Sequence, residues 1–148
     1  MLFRSGDVSY NPQNNQQMIE LRAAKVARIA NEIPPLEVFG SPRGELLVVG
    51  WGSTHGAITS AVEEARRDGR SVSSIHLRHL NPFPSNLGDV LEGFERILVP
   101  ELNGGQLVRL LRAEFLIAAE SMPKLQGQPF RVQEIRARID AMLSEGGT

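Results

Sequence analysis

The sequence contains no cysteine among its 148 residues. Without cysteine the chain forms no disulfide, has no thiolate nucleophile and offers no thiolate ligand to zinc or to an iron–sulphur cluster. Apolar runs such as residues 46–49 have the length of a strand and are far too short to span a bilayer. The first ten residues hold no apolar signal core. We therefore expect a cytoplasmic protein without a membrane partner.

An excess of charge of either sign is also absent. Sixteen basic residues stand against seventeen acidic ones, which gives a formal net charge of -1. This balance provides no broad positive field for a phosphate backbone, so we expect no nucleic-acid partner. Hydrophobic residues make up 41% and charged residues 22%, as in ordinary globular domains. The chain is therefore expected to fold around one core.

The spacing of apolar residues predicts helices and strands in alternation. Residues 1–15 lack periodicity and are interpreted as a linker or arm, followed by a single α/β domain over residues 16–148. An amphipathic helix with apolar positions from Ile19 to Ile33 is expected to end at Pro34 and Pro35. Strands are predicted at residues 36–39, 45–50, 72–77, 97–99, where Pro100 ends the strand, and 121–125.

Helices are predicted between and after these strands. Such alternation implies right-handed crossovers and a mainly parallel sheet between two layers of helices. The predicted fold class is therefore α/β, with three α/β/α layers and a sheet of about five strands.

The turn at residues 50–56 reads GWGSTHG and joins a predicted buried strand to a helix. Ligands of open α/β sheets bind at this edge, and a helix N-terminus presents N–H groups to an anion. Ser53 or Thr54 would either add a hydroxyl contact or cap the helix. The dinucleotide fingerprint fails because its last glycine comes one residue late, at Gly56, and the acid expected about twenty positions on is missing. With Thr54 in place of serine, the turn is not a nucleophile elbow either.

Polar residues follow two other predicted strands. His76 and Arg78 share a strand face that His79 does not, and they are either ligand or partner contacts or ordinary strand-end residues. His55 has the chemistry of an acid–base group near neutral pH. Asn103 and Gln106 lie in a second strand-loop-helix segment, expected at the same sheet edge as the first. Residues 124–130 form either a partner surface or a connector.

Five segments, taken in order, resemble a known family. They are NP to QM at residues 11–18, LRAAK at 21–25, GWGST at 50–54, PELN followed by GQL at 100–107, and QGQPF at 126–130. Together they resemble the C-terminal part of the alpha subunit of 2-oxoacid:ferredoxin oxidoreductases, particularly the 2-oxoglutarate type. A wider pattern also resembles the C-terminal domains of transketolases and of 2-oxoacid dehydrogenase beta chains. It consists of LR at residues 77–78, Leu80, PF at residues 82–83 and the later Glu101. The resemblance implies a transketolase C-terminal-domain-like fold.

The resemblance also implies a function for the complete enzyme. It would convert a 2-oxoacid and coenzyme A to acyl-CoA and CO2 while reducing ferredoxin. Thiamine diphosphate, magnesium and an iron–sulphur cluster would be held by other domains, and none by this chain, which lacks the G-D-G motif. The implied partners are the remaining alpha-subunit domain, the beta subunit and ferredoxin, within a homo-oligomer.

No catalytic, cofactor-binding or metal-binding residue is assigned to this chain, which is expected to be inactive alone and to serve as an interface domain. The residues interpreted as interface or ligand-loop positions are Gly52, Ser53, Thr54, His55, Arg78, Asn103 and Gln106. Two alternatives remain open. One is a free-standing module that binds a nucleotide or phosphate ligand. The other is a complete small enzyme that uses His55, His76 or Arg78.

Overall fold

The computed structural model describes residues 8–145 of the chain. These residues form two compact units, one made of residues 8–34 and 79–85, the other of residues 35–78 and 86–145. The predicted arm at residues 1–7 lies outside the described residues, and the single domain over residues 16–148 stays a prediction. No helix in the described part of the chain is long and apolar enough to cross a membrane.

The first unit contains helix α1, Pro12–Ile29. Residues 12–15, predicted to belong to a linker or arm without periodic structure, form the first turn of this helix. The side-chain oxygen of Asn11 accepts hydrogen bonds from the N–H groups of Gln13 and Asn14, at 2.8 and 3.3 Å. Pro12 occupies the first helical position, where a missing N–H costs nothing. A local cap thus starts the helix before its apolar periodicity begins.

The second unit is built on a parallel sheet of four strands in the order β2-β1-β3-β4. The strands are β1 Gly44–Trp51, β2 Val72–Leu77, β3 Phe94–Glu101 and β4 Glu120–Pro123. The helices are α2 His55–Arg67, α3 Leu87–Glu92, α4 Gln106–Phe115 and α5 Val132–Glu145, with a short 3-10 turn at Gly52–Thr54 before α2. The predicted α/β class with a mainly parallel sheet is confirmed, with four strands instead of about five.

The predicted strand at residues 36–39 is the one that does not form. Asn86 binds the backbone of Leu36, accepting from its N–H at 2.8 Å and donating to its carbonyl at 3.1 Å. Further along, Phe39 makes one isolated antiparallel bridge to Ser74. Because the side chain of Asn86 already satisfies the N–H and the carbonyl of Leu36, these two groups do not form hydrogen bonds with β2.

Pro100 does not end its strand as predicted. β3 continues through Pro100, which pairs with Met122, to Glu101, which pairs with Pro123. The fixed φ of proline is compatible with extended backbone, so the residue removes a donor from the ladder without breaking the strand. The two added residues place Glu101 at the end of β3, next to the start of α4.

The core covers both faces of β1. Its residues 46–49 are all fully buried, and successive side chains point to opposite faces of the sheet. Leu46 and Val48 pack in one cluster with side chains from α2 and α5, which include Ile58, Ala61, Val62, Ala65, Ile135, Ile139 and Met142. The continuous apolar run therefore marks a central strand, as the sequence predicted.

The strand order sets the position of the candidate site. The chain runs from β1 outward through α2 to β2, and then crosses back to β3 on the other side of β1. In such sheets the crevice at the carboxyl ends of the two strands where the direction reverses is the usual ligand position. Here that crevice lies between the turn after β1 and the turn after β3.

Candidate functional site

The candidate site is the carboxyl edge of β1, β2 and β3. The parallel register pairs Gly50 with His76 and Trp51 with Leu77, which brings the end of β2 beside the turn after β1. The same edge carries the turn after β3, because β1 and β3 are parallel neighbours. The positions named from the sequence in the two loops thus lie along one sheet edge, as expected from their strand-loop-helix pattern.

Gly50 allows helix α2 to pack closely on β1. A Cβ atom at this position would lie 2.5 Å from Cδ1 of Ile58 and 3.0 Å from Oγ1 of Thr54, so the Ile58 side chain would have to shift. By contrast, a Cβ at Gly56 would meet nothing within 4 Å. The first glycine of the turn therefore supports the close packing, whereas the last one is under no such constraint. Gly52 has a φ of 60°, in the left-handed region that glycine adopts readily.

Thr54 closes the turn on itself. Its side chain is buried, and Oγ1 donates to the carbonyl of Trp51 at 2.9 Å and accepts from the N–H of Trp51 at 3.2 Å. Within the described residues no side chain caps the first turn of α2. Thr54 therefore caps the short 3-10 turn that leads into α2, and Ser53 lies exposed beside it.

Two side chains bind the backbone at the start of α4. Glu101 is fully buried, and its two carboxylate oxygens accept from the N–H groups of Leu107 at 2.7 Å and Val108 at 3.1 Å. The side-chain oxygen of Asn103 accepts from the N–H groups of Gly105 at 2.8 Å and Gln106 at 3.0 Å. Glu101 and Asn103 thus satisfy four successive donors of the helix N-terminus.

This arrangement closes the α4 turn to an external anion, because its N–H groups already have acceptors. Asn103 is consequently a cap, and the backbone N–H of Gln106 is one of the groups that it caps. The sequence interpretation missed Glu101. An acidic residue directly after a buried apolar strand and just before a Gly-rich helix start is the signal that could have revealed it.

His55 and His76 lie together at the end of β1 and β2. Their ring centroids are 4.6 Å apart at an interplanar angle of 57°. Nδ1 of His76 is buried and has no hydrogen-bond partner among the described residues. Burial disfavours the charged imidazolium and so lowers the pKa of His76 below its ordinary value, and His55 and Arg78 lower it further. The sequence could not pair these histidines, because they lie on different elements.

Arg78 is exposed and forms no ion pair within residues 8–145. It shares with His76 the end of β2, as expected from the sequence. His79 belongs to the first unit instead. The basic groups at the end of β2 are therefore the pair His55 and His76 and the guanidinium of Arg78. The carboxylate of Glu101 is hydrogen-bonded to the backbone of α4.

The segment at residues 124–130 is held down at both ends. Nζ of Lys124 bonds to the carboxylate of Glu134 at 2.7 Å and to the carbonyl of Pro129 at 3.0 Å. Glu134 also accepts from the N–H of Arg131 at 2.7 Å. That backbone hydrogen bond, together with the ammonium of Lys124, lowers the pKa of Glu134. These contacts favour the connector interpretation of the segment.

The described residues do not fit thiamine diphosphate with magnesium at this edge. Both oxygens of Glu101 accept backbone hydrogen bonds, so the carboxylate is not free to coordinate a cation. The N–H groups at the start of α4 are equally unavailable to a diphosphate. In the part of the chain that the structure describes, no three acidic or histidine side chains are grouped to hold a metal ion.

Comparison with known proteins identifies related chains. The family described as pyruvate:ferredoxin oxidoreductase core domain II matches residues 44–135. The chain is 46% identical over 142 residues to 2-oxoglutarate oxidoreductase subunit KorA of Mycobacterium tuberculosis, covering 95% of this chain and 21% of that relative. The chain therefore spans about a fifth of this relative's length.

Solved structures agree with this match. A 2-oxoglutarate:ferredoxin oxidoreductase from Magnetococcus marinus, with 2-oxoglutarate, coenzyme A and succinyl-CoA bound, aligns with a TM-score of 0.87 and 26% identity. That alignment covers 95% of this chain and 25% of the other. A split gene transketolase aligns with a TM-score of 0.54 at 14% identity, over 72% of this chain and 43% of the other, and shows the fold alone. The transketolase-like fold expected from the sequence is confirmed.

Replacing Glu101 by glutamine tests the closure of α4. Glutamine keeps one acceptor oxygen and turns an amide N–H₂ toward a backbone donor, so we expect a loss of about 1–3 kcal/mol in the free energy of unfolding. Urea unfolding monitored by circular dichroism measures it. Glu95→Gln, an exposed position on the same strand, is the control and should change stability by less than about 0.5 kcal/mol. Equal effects of the two substitutions would contradict the assignment.

The lowered pKa of His76 predicts a pH dependence of stability. Below the ordinary pKa of 6.5, the unfolded chain binds this proton more readily than the folded chain. The contribution of His76 is therefore complete above about pH 6.5 and is lost as the pH falls through the folded pKa. Below about pH 6.5, the free energy of unfolding in urea should therefore change less steeply with pH for His76→Gln than for the wild type. A wild-type slope for His76→Gln would refute the prediction.

Proposed function

Because the chain belongs to the pyruvate:ferredoxin oxidoreductase core domain II family, we propose that it is a structural domain of a 2-oxoacid:ferredoxin oxidoreductase alpha subunit. The names of its relatives support the 2-oxoglutarate type. The complete enzyme would convert 2-oxoglutarate and coenzyme A to succinyl-CoA and CO2 with reduction of ferredoxin. Thiamine diphosphate, magnesium and an iron–sulphur cluster would be bound outside this chain.

The observation that carries the structural role is the closure of the α4 turn. In this sheet topology the crevice between β1 and β3 is the usual ligand position. Here Glu101 and Asn103 bind four N–H groups on one side of that crevice, and Thr54 binds Trp51 on the other. These three side chains thus hold the chain's own loops in place, as we expect of a domain that presents rigid loops to neighbouring protein.

The proposed partners are the remaining alpha-subunit domain and the beta subunit, within a cytoplasmic homo-oligomer, with ferredoxin as partner of the complete enzyme. Gly52, Ser53, His55 and Arg78 are exposed residues of the carboxyl edge. We assign them to the interface with those partners. Asn103 and the backbone of Gln106 belong to the closed α4 turn that supports this edge.

A free-standing module for a phosphate-bearing ligand is the second candidate. It is favoured by the first turn of α2, because its N-cap residue Thr54 makes no side-chain cap hydrogen bond to that turn. This candidate requires the isolated chain to bind its ligand. A bound ligand at a hundredfold excess over its Kd would stabilise the fold by about 2.7 kcal/mol.

Reconstitution tests the structural role against this alternative. The chain is co-expressed with the remaining alpha-subunit domain and the beta subunit, and CoA-dependent oxidation of 2-oxoglutarate is followed through reduction of ferredoxin. Omitting the chain should lower the rate by about a hundredfold or more, because misplaced catalytic domains lose their alignment. The chain alone should show no turnover and no thermal stabilisation by NAD, NADP, ATP or coenzyme A. Full activity without the chain, or a clear stabilisation by one of these ligands, would reject the proposal.

A further inference from the structure

Helix α1 exposes apolar side chains along most of its length. None of its 18 residues is buried, whereas α2, α4 and α5 each bury at least three. Ile19 is 56% exposed, Leu21 54% and Ile29 45%. Among the described residues, five of the ten large exposed apolar side chains lie in the segment at residues 8–29: Val8, Tyr10, Ile19, Leu21 and Ile29. The exposure is thus concentrated in one segment of the chain.

Four of the apolar residues of α1 share one side of the helix. Ile19, Ala23, Val26 and Ile29 fall within about a third of the helix circumference at 100° per residue. Val26 is half-buried, and the other three are exposed. We call these four residues the exposed α1 face. Arg22 lies within the same arc, and Ala24 lies on the opposite side of the helix.

An amphipathic helix of this kind is stabilised when its apolar face packs against another surface. Most of the stability of a helix in a protein comes from burial of its apolar face, and isolated helices of this length are marginal in water. Contiguous exposed apolar surface is characteristic of an interaction site. The amphipathic spacing therefore indicates a partner that covers the exposed α1 face.

The charges of α1 indicate the chemistry of that partner. The helix carries Arg22, Lys25 and Arg28 against the single acidic residue Glu20. None of the three cations forms an ion pair within residues 8–145. Lys25 is one turn from both Leu21 and Ile29, so the basic groups alternate with the apolar ones. A complementary surface is apolar with carboxylates at its border.

The comparisons indicate where such a surface is found. The matches to KorA and to the Magnetococcus marinus enzyme each cover 95% of this chain, and the unmatched 5% is too short to contain α1. In those proteins the matched region makes up 21% and 25% of the chain. A counterpart of α1 therefore occurs in chains four to five times longer, which supply further protein surface.

We propose that the exposed α1 face docks onto an apolar surface bordered by carboxylates on the remaining part of the alpha subunit. The inference rests on the proposed function and adds the contact that joins this chain to its partner. The central residues are Ile19 and Ile29, with Arg22 forming an ion pair at the border. A second copy of this chain is the competing occupant, and the experiment separates the two.

The test uses the complex formed when this chain is co-expressed with the remaining alpha-subunit domain and the beta subunit. Its dissociation constant is measured by dilution and size-exclusion chromatography. Ile19→Asp should raise this constant at least tenfold, because it places a charge in the contact. Arg22→Glu should raise it several-fold at low salt and less at high salt. Ala24→Asp, the same charge on the opposite side of α1, should stay within twofold of the wild type.

Two further measurements, the melting temperature and the oligomeric state of each isolated variant, make the outcome decisive. Each isolated variant should keep the melting temperature of the wild type, because Ile19 is exposed in this structure. A lower melting temperature for Ile19→Asp would show that the face is buried within the chain itself, which overturns the inference. Equal dissociation constants for all variants would also overturn it, as would a homodimer that Ile19→Asp abolishes while the complex persists. Failure of the wild type to form the complex would instead reject the proposed function together with this contact.

Discussion

The carboxyl edge of the sheet depends on the buried carboxylate of Glu101. It comes from the end of β3 and accepts hydrogen bonds from two N–H groups of α4, at 2.7 and 3.1 Å. A buried charge is tolerated when hydrogen bonds replace its hydration, and here the positive end of a helix supplies them. The contact fixes where α4 starts relative to β3 and, together with the side chain of Asn103, satisfies four successive N–H groups at the start of α4. The same interaction that orders the edge therefore removes half of it as a ligand site.

Most of the fold could be predicted from the sequence, because the dominant signals were local. The apolar run at residues 46–49 predicted a central strand, and the spacing of apolar residues predicted each of the helices that cover it. The errors arose where a side chain competes with the backbone. Asn86 takes the hydrogen bonds that a strand at Leu36 would have used, and Asn11 starts α1 earlier than its apolar periodicity indicates. The spacing of apolar residues does not predict such side-chain hydrogen bonds to the backbone.

The candidate site was less predictable than the fold, since its contacts join distant segments. The two Gly-rich loops and their common edge followed from the strand-loop-helix pattern. The contact of His55 with His76, and the bonds from Glu101 to the start of α4, depend on side-chain directions that spacing alone does not give. Thr54 illustrates the difference, because its position suggested a cap or a ligand contact, and only the structure shows that its hydroxyl bonds to the backbone of Trp51. The residue types indicated that the edge is polar, but not which hydrogen bonds its side chains make.

The capped start of α4 and the uncovered amphipathic helix α1 support the proposal that this chain is one part of a larger assembly. Hydrogen–deuterium exchange of the segment at residues 12–29 tests this directly, by comparing the isolated chain with the co-expressed complex. We expect fast amide exchange in the isolated chain and exchange at least about tenfold slower in the complex, because packing suppresses local opening of the helix. Equal exchange rates in the two samples would contradict it.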